Sequence, residues 1–551
     1  MRCARVAVSA RRVLGAPRAR LAHIIATIGL IGSLPRGLAA QIVSWRPLVA
    51  IGDEADDRTR LSHLDRGGPT AAYLLRTASR LTPELPGDST KLRWAFLIPE
   101  VTLVENTTLP FSMNDGALWA GRGLNGRLRA GIRAQWGRWF LILAPELLGS
   151  ENRPYELADP STVPPRPLDR NPLSSPWHLS PSIDAPLRFG YDAFGVLDPG
   201  QSTIGARFGR VAAGISSESE WWGPGMRNAI VLSNNAPGVP RLFVRTARPL
   251  RALAGTLEGT WFLGGLSESP FFDNVPGNDR RSITGGALVW KPHFDDGLTL
   301  GLGRTVYATL PTWWDLGSHV FDVVWGQGPT REQLVTLFGR WVFPADHFAV
   351  HFEWARTEVP RSLRDLLTAP NHSQGYTVGL EWAAPAGRAR FLRLQAEVTY
   401  LERSPSYRDR PLASFYTSAT VVQGYTQRGK VIGAAIGQGG SNQWLGLDYF
   451  APRWRVGVFG GRIRWDDDAL YTFPTPLTAV ADNKWCSHDV SLFGGVTAAL
   501  ERNWGRVRVS LTRGERLNVF FHNLTQCDLE PNPLAIRDAR NTTLELQFSP
   551  P

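Results

Sequence analysis

The chain has 551 residues, is 43% hydrophobic and 20% charged, and carries 55 glycines, 41 prolines and 21 tryptophans. That length exceeds one ordinary soluble core, yet no linker divides it, and no apolar run after residue 40 is long enough for a transmembrane helix. The formal charge of +11 argues for a nucleic-acid partner only if it belongs to the folded part of the chain.

It does not. Arg2, Arg5, Arg11, Arg12, Arg18 and Arg20 precede the apolar stretch LAHIIATIGLIGSL, and GLAA follows with Gly37 and Ala39 at signal-peptidase spacing. Residues 1–40 thus read as a cleaved secretory signal. With Arg36, seven arginines and no acidic residue lie in it, so its removal lowers +11 to +4. Cys3 leaves with it; Cys486 and Cys527 remain, an even number suited to an oxidising compartment and without zinc-ligand spacing.

Residues 41–91 carry apolar residues at helical spacing in DEADDRTRLSHLD and PTAAYLLRTASRL, separated by Gly67-Gly68-Pro69. They are expected to form a small N-terminal helical element. From Leu92 the period falls to two. In RLRAGIRAQW, Arg127, Arg129, Gly131, Arg133 and Gln135 share one face, and Leu128, Ala130, Ile132, Ala134 and Trp136 share the other. FLRLQAEVTY and YTVGLEW repeat the pattern. In a soluble sandwich the apolar face points to a core; in a transmembrane barrel it points to lipid, and the polar face lines the lumen. Charges recurring on the polar faces favour the barrel. So does the alternation of short turns, PADH (344–347), PAGR (385–388), PRW (452–454) and ERNWG (501–505), with long polar loops. The strands run from 93–105 to 539–548, with the third and fourth at 137–147 and 200–208. They number about eighteen, an even count as closure requires. The expected fold is all-β: a closed antiparallel transmembrane β-barrel over residues 92–551. Cys486 and Cys527 then fall on neighbouring long loops and are expected to form a disulfide.

WWGPGMRNAIVLSNNAPGVP (221–240) joins an up-strand to a down-strand, and Gly223-Pro224-Gly225 forces a tight reversal. It reads as an external or mouth-level loop, with Trp221 and Trp222 at the upper interface or turned inward. This segment, together with NDGALWAGRGLNGRLRAG (114–131), LAPEL (143–147), APLRFG (185–190), LDPGQSTI (197–204), RSLRDLLTAPNHSQGYTVGL (361–380) and GYTQRGKVIGAAIG (424–437), resembles the Wzi family of capsule-assembly proteins. The resemblance implies an eighteen-stranded outer-membrane barrel with a small periplasmic helical element. It also implies a lectin-like role, attaching or organising capsular or exopolysaccharide at the cell surface.

Sugars are held by aromatic faces against C–H surfaces and by amides, carboxylates and guanidinium forks on hydroxyls. Trp119, Arg122, Trp221, Trp222, Arg227, Asn234 and Asn235 supply these groups, and Tyr425, Gln427, Arg428 and Lys430 supply them again. The same residue types also serve as interfacial girdle tryptophans and turn formers. Arg127, Arg129 and Arg133 either attract an acidic polymer or pair with glutamates of adjacent strands, and pairing is favoured for at least one. No nucleophile elbow is present, and Asp466-Asp467-Asp468 lacks calcium-loop spacing. The chain is therefore expected to be no enzyme and to need no cofactor or metal. It is expected to be a monomer in outer-membrane lipid with its long loops outside, binding polysaccharide and no nucleic acid. A porin-like diffusion channel is the alternative.

Overall fold

A computed structural model describes residues 44–66, 71–158, 167–472, 488–521 and 538–551. The signal segment, Cys486 and Cys527 lie outside the described residues, so the expected disulfide does too.

Twenty-two hydrogen-bonded segments form one sheet. Trp45–Arg46 is an appended parallel edge, and three passes are broken in two, leaving eighteen antiparallel passes. They are β1 Arg93–Asn106, β2 Gly123–Trp136, β3 Trp139–Leu143 with Glu146–Ser150, β4 Phe194–Asp198 with Thr203–Phe208, β5 Val211–Ser216 and β6 Arg241–Thr246 with Leu250–Ala252. β7 Gly255–Ser267, β8 Arg280–Pro292, β9 Leu298–Thr309, β10 Arg331–Phe343, β11 Phe348–Arg356 and β12 Gln374–Pro385 follow. β13 Phe391–Tyr400, β14 Ser441–Ala451, β15 Trp454–Arg464, β16 Val490–Arg502, β17 Gly505–Leu517 and β18 Ala539–Ser549 complete the set. The last closes on the first, with Phe548 opposite Val101 and Thr543 opposite Asn106, so no edge is left unpaired.

β3 and β4 extend beyond the ranges expected from sequence. Pro145 and Pro199 have no N–H for the ladder, and each strand bends there and resumes. The two breaks face each other: Gly200 lies at φ +59°, where a Cβ would sit 2.4 Å from the Ala144 carbonyl oxygen.

Alternation sorts the side chains as the period-two reading requires. Leu288, Leu302, Val378, Leu445, Val458 and Val496 stand exposed on the outer wall. At the short-turn end the wall carries a ring of exposed aromatics, including Trp94, Trp136, Trp139, Phe294, Trp341, Trp382, Trp454 and Trp504. The inward side chains include an apolar core and many charged residues, and the charged ones are held in pairs. Arg129 donates to Glu100 at 2.7 Å, and Arg340 donates to Glu381 at 2.9 Å. A charge buried in the lumen wall persists only with a partner.

Three segments meet inside. The N-terminal helix α1 (Glu54–Arg66) enters from the short-turn end. Its Asp57 accepts two bonds from Arg393 at 2.6 and 3.0 Å and pairs with Arg455; its Arg60 donates to Glu381 at 2.8 Å. Burial works against ionisation of Asp57, but the guanidinium groups of Arg393 and Arg455 hold its carboxyl well below the usual carboxylate range.

The 221–240 segment comes from the other end. It is not a mouth loop: it folds down into the lumen, where Trp221–Trp222 pairs antiparallel with Leu75–Arg76. Two inward carboxylates hold it. Glu397 accepts from the backbone N–H groups of Arg227 and Asn228, both at 2.9 Å, and of Met226; Glu353 accepts from Ile230 N–H at 3.0 Å. The third segment, 401–440, clamps the second. Tyr416 and Tyr425 donate to the carbonyls of Ile230 at 2.7 Å and Val231 at 2.9 Å. These contacts fill the mid-height of the barrel with packed chain.

Candidate functional site

Above this filling, at the long-loop end, lies a cleft of about 240 Å³. It is built by loops rather than by strand faces. Its walls are the segment after β1 (Phe111, Trp119), the loop after β3 (Tyr155, Trp177) and the mouth of β15–β17 (Trp465, Asp489, Arg516, Phe520). Its floor is Asn235, Lys430, Val431 and Ile436.

The aromatic walls are held in place by one another. Trp119 stacks on Phe189 with centroids 4.6 Å apart, and Trp177 meets Phe521 edge-on at 5.5 Å. Phe520 and Phe521 both have positive φ, which turns the chain sharply and brings both rings to the cleft. The indole N–H of Trp119 is buried without an acceptor among the described residues. Polar groups alternate with the rings. Arg516 makes a bidentate pair with Asp489 at 2.6 and 2.7 Å, and the Asp466 carboxylate is bonded to His178 at 2.7 Å and accepts from Gln438 at 3.0 Å. Lys430 donates to the carbonyls of Leu118 at 2.8 Å and Gly116 at 3.0 Å. Burial pushes its amine down to about 8, with Asp115 opposing that shift.

The eleven residues singled out from sequence divide by location. Trp119, Asn235 and Lys430 line the cleft. Trp221 and Asn234 line a second cavity of about 170 Å³ deeper in the lumen, beside Asp53, Arg127 and Arg129 of the inner charge network. Trp222 is packed edge-on against Phe262 and donates its indole N–H to Glu220 at 2.9 Å. Arg227 lies over the Trp444 ring at 3.9 Å, and burial pushes its guanidinium down to about 10. Tyr425 and Gln427 are buried, the Gln427 side chain accepting from Ser267 N–H at 2.8 Å. Arg122 straps two loops by donating to the carbonyls of Thr107 and Pro154, and Arg428 pairs with Asp198.

Sequence reasoning passed over Phe111, Tyr155, Trp177, Trp465 and Gln438, which stand in loops with no internal pattern, and Arg516 at the end of β17. The three consecutive aspartates are resolved as structural: Asp466 takes His178 and Gln438, Asp467 takes Arg464 and His488, and Asp468 takes Arg403. Of the arginine stripe on β2, Arg129 does pair with Glu100, while Arg133 donates to the Pro83 carbonyl at 2.8 Å.

No family model and no curated protein sequence matches the chain. Solved structures do. Wzi of Escherichia coli, an outer-membrane protein described as a carbohydrate-binding β-barrel involved in group 1 capsule assembly, aligns with a TM-score of 0.52 at 11% identity, covering 82% of this chain and 83% of its own. Its fold is that of an outer-membrane β-barrel. OccAB2 of Acinetobacter baumannii aligns with a TM-score of 0.39 at 10% identity over 82% of this chain and 97% of that one. OccK2 of Pseudomonas aeruginosa gives 0.34 at 12% over 82% and 96%. At these identities the likeness speaks to fold, and the site rests on its own geometry.

Proposed function

We propose that the protein is an outer-membrane lectin-like barrel that attaches or organises capsular or exopolysaccharide at the cell surface, binding the polymer without cleaving it. The observation that carries this reading is the position of the aromatic cleft: it opens at the long-loop end directly above a lumen filled by three segments. Stacking rings beside amide, carboxylate and guanidinium groups are what one or two sugar rings of a longer chain require. The volume is small beside the roughly 300–1,000 Å³ of pockets that enclose a drug-sized ligand, which suits a polymer gripped locally. The neighbouring Wzi, described as carbohydrate-binding, supports the same reading. The filled mid-lumen weighs against the porin-like alternative.

The test uses purified barrel and a short oligosaccharide from the host's own surface polymer, since multivalent attachment masks single contacts. Trp119→Ala with Gln438→Ala is expected to weaken binding by about tenfold, the loss of one stacking face and one hydrogen bond at about 1 kcal/mol or less each. Arg410→Ala, whose partners Glu358 and Asp365 lie outside the cleft, is expected to leave affinity unchanged. Equal affinity in the double variant and the parent places the glycan elsewhere. Shortened chains after incubation replace the lectin reading with an enzyme.

A further inference from the structure

The loop between β9 and β10 does not stand up from the mouth or fold into the lumen. It turns down over the outside of the barrel. On β7 and β8 the inward residues Leu266, Ile283 and Ala287 belong to the lumenal core, so Gly265, Thr284 and Gly286 face outward. The loop lies on those three. A Cβ at Gly265 would meet the Trp313 ring at 2.4 Å, and one at Gly286 would meet Val323 at 3.2 Å. The Thr284 hydroxyl donates to the His319 carbonyl at 2.7 Å. Two glycines thus form a shallow seat for the loop on the outer wall.

Arg304 of β9 sits on the same outer face, between the exposed Leu302 and the buried Val306. An arginine there faces lipid and needs its donors satisfied. The loop does this. Arg304 donates to the carbonyls of Val323 and Val324 at 3.1 Å and of Gly326 at 2.7 Å, and its Nε donates to Gln333 at 3.0 Å. The carbonyls belong to the end of a helical turn, Asp322–Trp325. Asp322 is itself bonded to His319 at 2.6 Å and Arg331 at 3.0 Å. Arg304, His319 and Asp322 are therefore closed against the wall, and the exposed surface of the loop is rich in large apolar side chains, with the Asp315 carboxylate taken up by Thr312. Trp314 is 95% exposed, Trp325 72% and Phe321 63%, with Trp313 and Val324 beside them.

The height of this contact identifies the surroundings. Arg304 is paired with Gly286, four residues along β8 from Trp290, which meets Phe294 of the short-turn aromatic ring edge-on. At about 3.3 Å per residue and a tilt of about 40°, Arg304 stands roughly 10–15 Å above that ring. The apolar band of such barrels is about 25 Å tall, so the contact falls within it.

We propose that residues 310–330 form a membrane-embedded arm, pinned to the outer wall by Arg304, that places Trp314, Phe321 and Trp325 among the acyl chains of the surrounding bilayer. This rests on the outer-membrane barrel reading and not on the glycan cleft.

The experiment is tryptophan fluorescence of the full barrel in nanodiscs whose lipids carry bromine on the acyl chains, with Trp314→Phe/Trp325→Phe as the reference. The emission lost in the double variant isolates the arm. That difference is expected to be mostly quenched by the brominated lipids and insensitive to aqueous iodide. In Arg304→Met, with heat-modifiable migration showing a folded barrel, the same component is expected to become sensitive to iodide. Iodide quenching in the parent overturns the proposal. So does protection from both quenchers together with a cross-linked dimer, which assigns the aromatics to a second copy. If the tryptophans remaining in the double variant also ignore the brominated lipids, the barrel reading itself fails.

Discussion

Replacing Glu353 and Glu397 with alanine together is expected to open the barrel. The two carboxylates hold four backbone N–H groups of the 221–240 segment, those of Met226, Arg227, Asn228 and Ile230. A buried hydrogen bond contributes about 0.5–1.5 kcal/mol net, and a buried donor left unpaired costs about 1–3 kcal/mol. Neighbouring losses of this kind do not add independently, but several kcal/mol is enough to release a loop. The eighteen-pass ladder does not depend on these bonds, so the wall should persist. In planar bilayers the parent is expected to show no steady conductance and the double variant to show long-lived open channels, with unchanged heat-modifiable migration. A closed double variant would mean that α1 and the 401–440 segment seal the lumen unaided. A conducting parent would revive the porin reading.

The second large effect concerns Arg393. It is buried and shared between Asp57 of α1 at 2.6 Å and Asp448 of β14 at 2.8 Å. Arg393→Met keeps side-chain bulk beside the Phe450 ring and removes the charge, leaving two carboxylates facing each other with Arg455 alone between them. Removing one partner of a buried pair costs about 3–5 kcal/mol. The helix keeps its Arg60–Glu381 pair and its buried Leu61 and Leu64, but with its acidic first turn unbalanced it is expected to undock before the wall yields. Limited proteolysis should cleave residues 44–66 in Arg393→Met and spare them in the parent. Adding Asp57→Asn and Asp448→Asn should restore much of the protection. Equal resistance of parent and Arg393→Met would show that Arg60 and Glu381 carry the docking.

The strands were legible because a barrel wall imposes period two on every pass, and RLRAGIRAQW and FLRLQAEVTY display it openly. The helix at 54–66 was legible as a helix. Its destination was not, since its partners Glu381, Arg393 and Arg455 stand more than three hundred residues away. The 221–240 segment was placed at the mouth because Gly223-Pro224-Gly225 marks a reversal and carries no sign of depth. The sign lay on other strands: Glu353 and Glu397 are inward carboxylates without a cationic partner on the adjacent strands that would explain them. The cleft was the least readable part, since its aromatic walls come from loops separated by long stretches of wall.

The docking of α1 also imposes an order on biogenesis. The helix precedes all eighteen passes in chain order, but the arginines that neutralise Asp57 arrive only with β13 and β15. Until then Glu54 and Asp56 have Arg58 and Arg76 as partners, but Asp57 lacks both of its own. A contact spanning that much chain forms late and slowly. The wall must therefore be more than two-thirds threaded before its own stopper can seat, and a nascent barrel passes through a stage in which it is built but not yet closed.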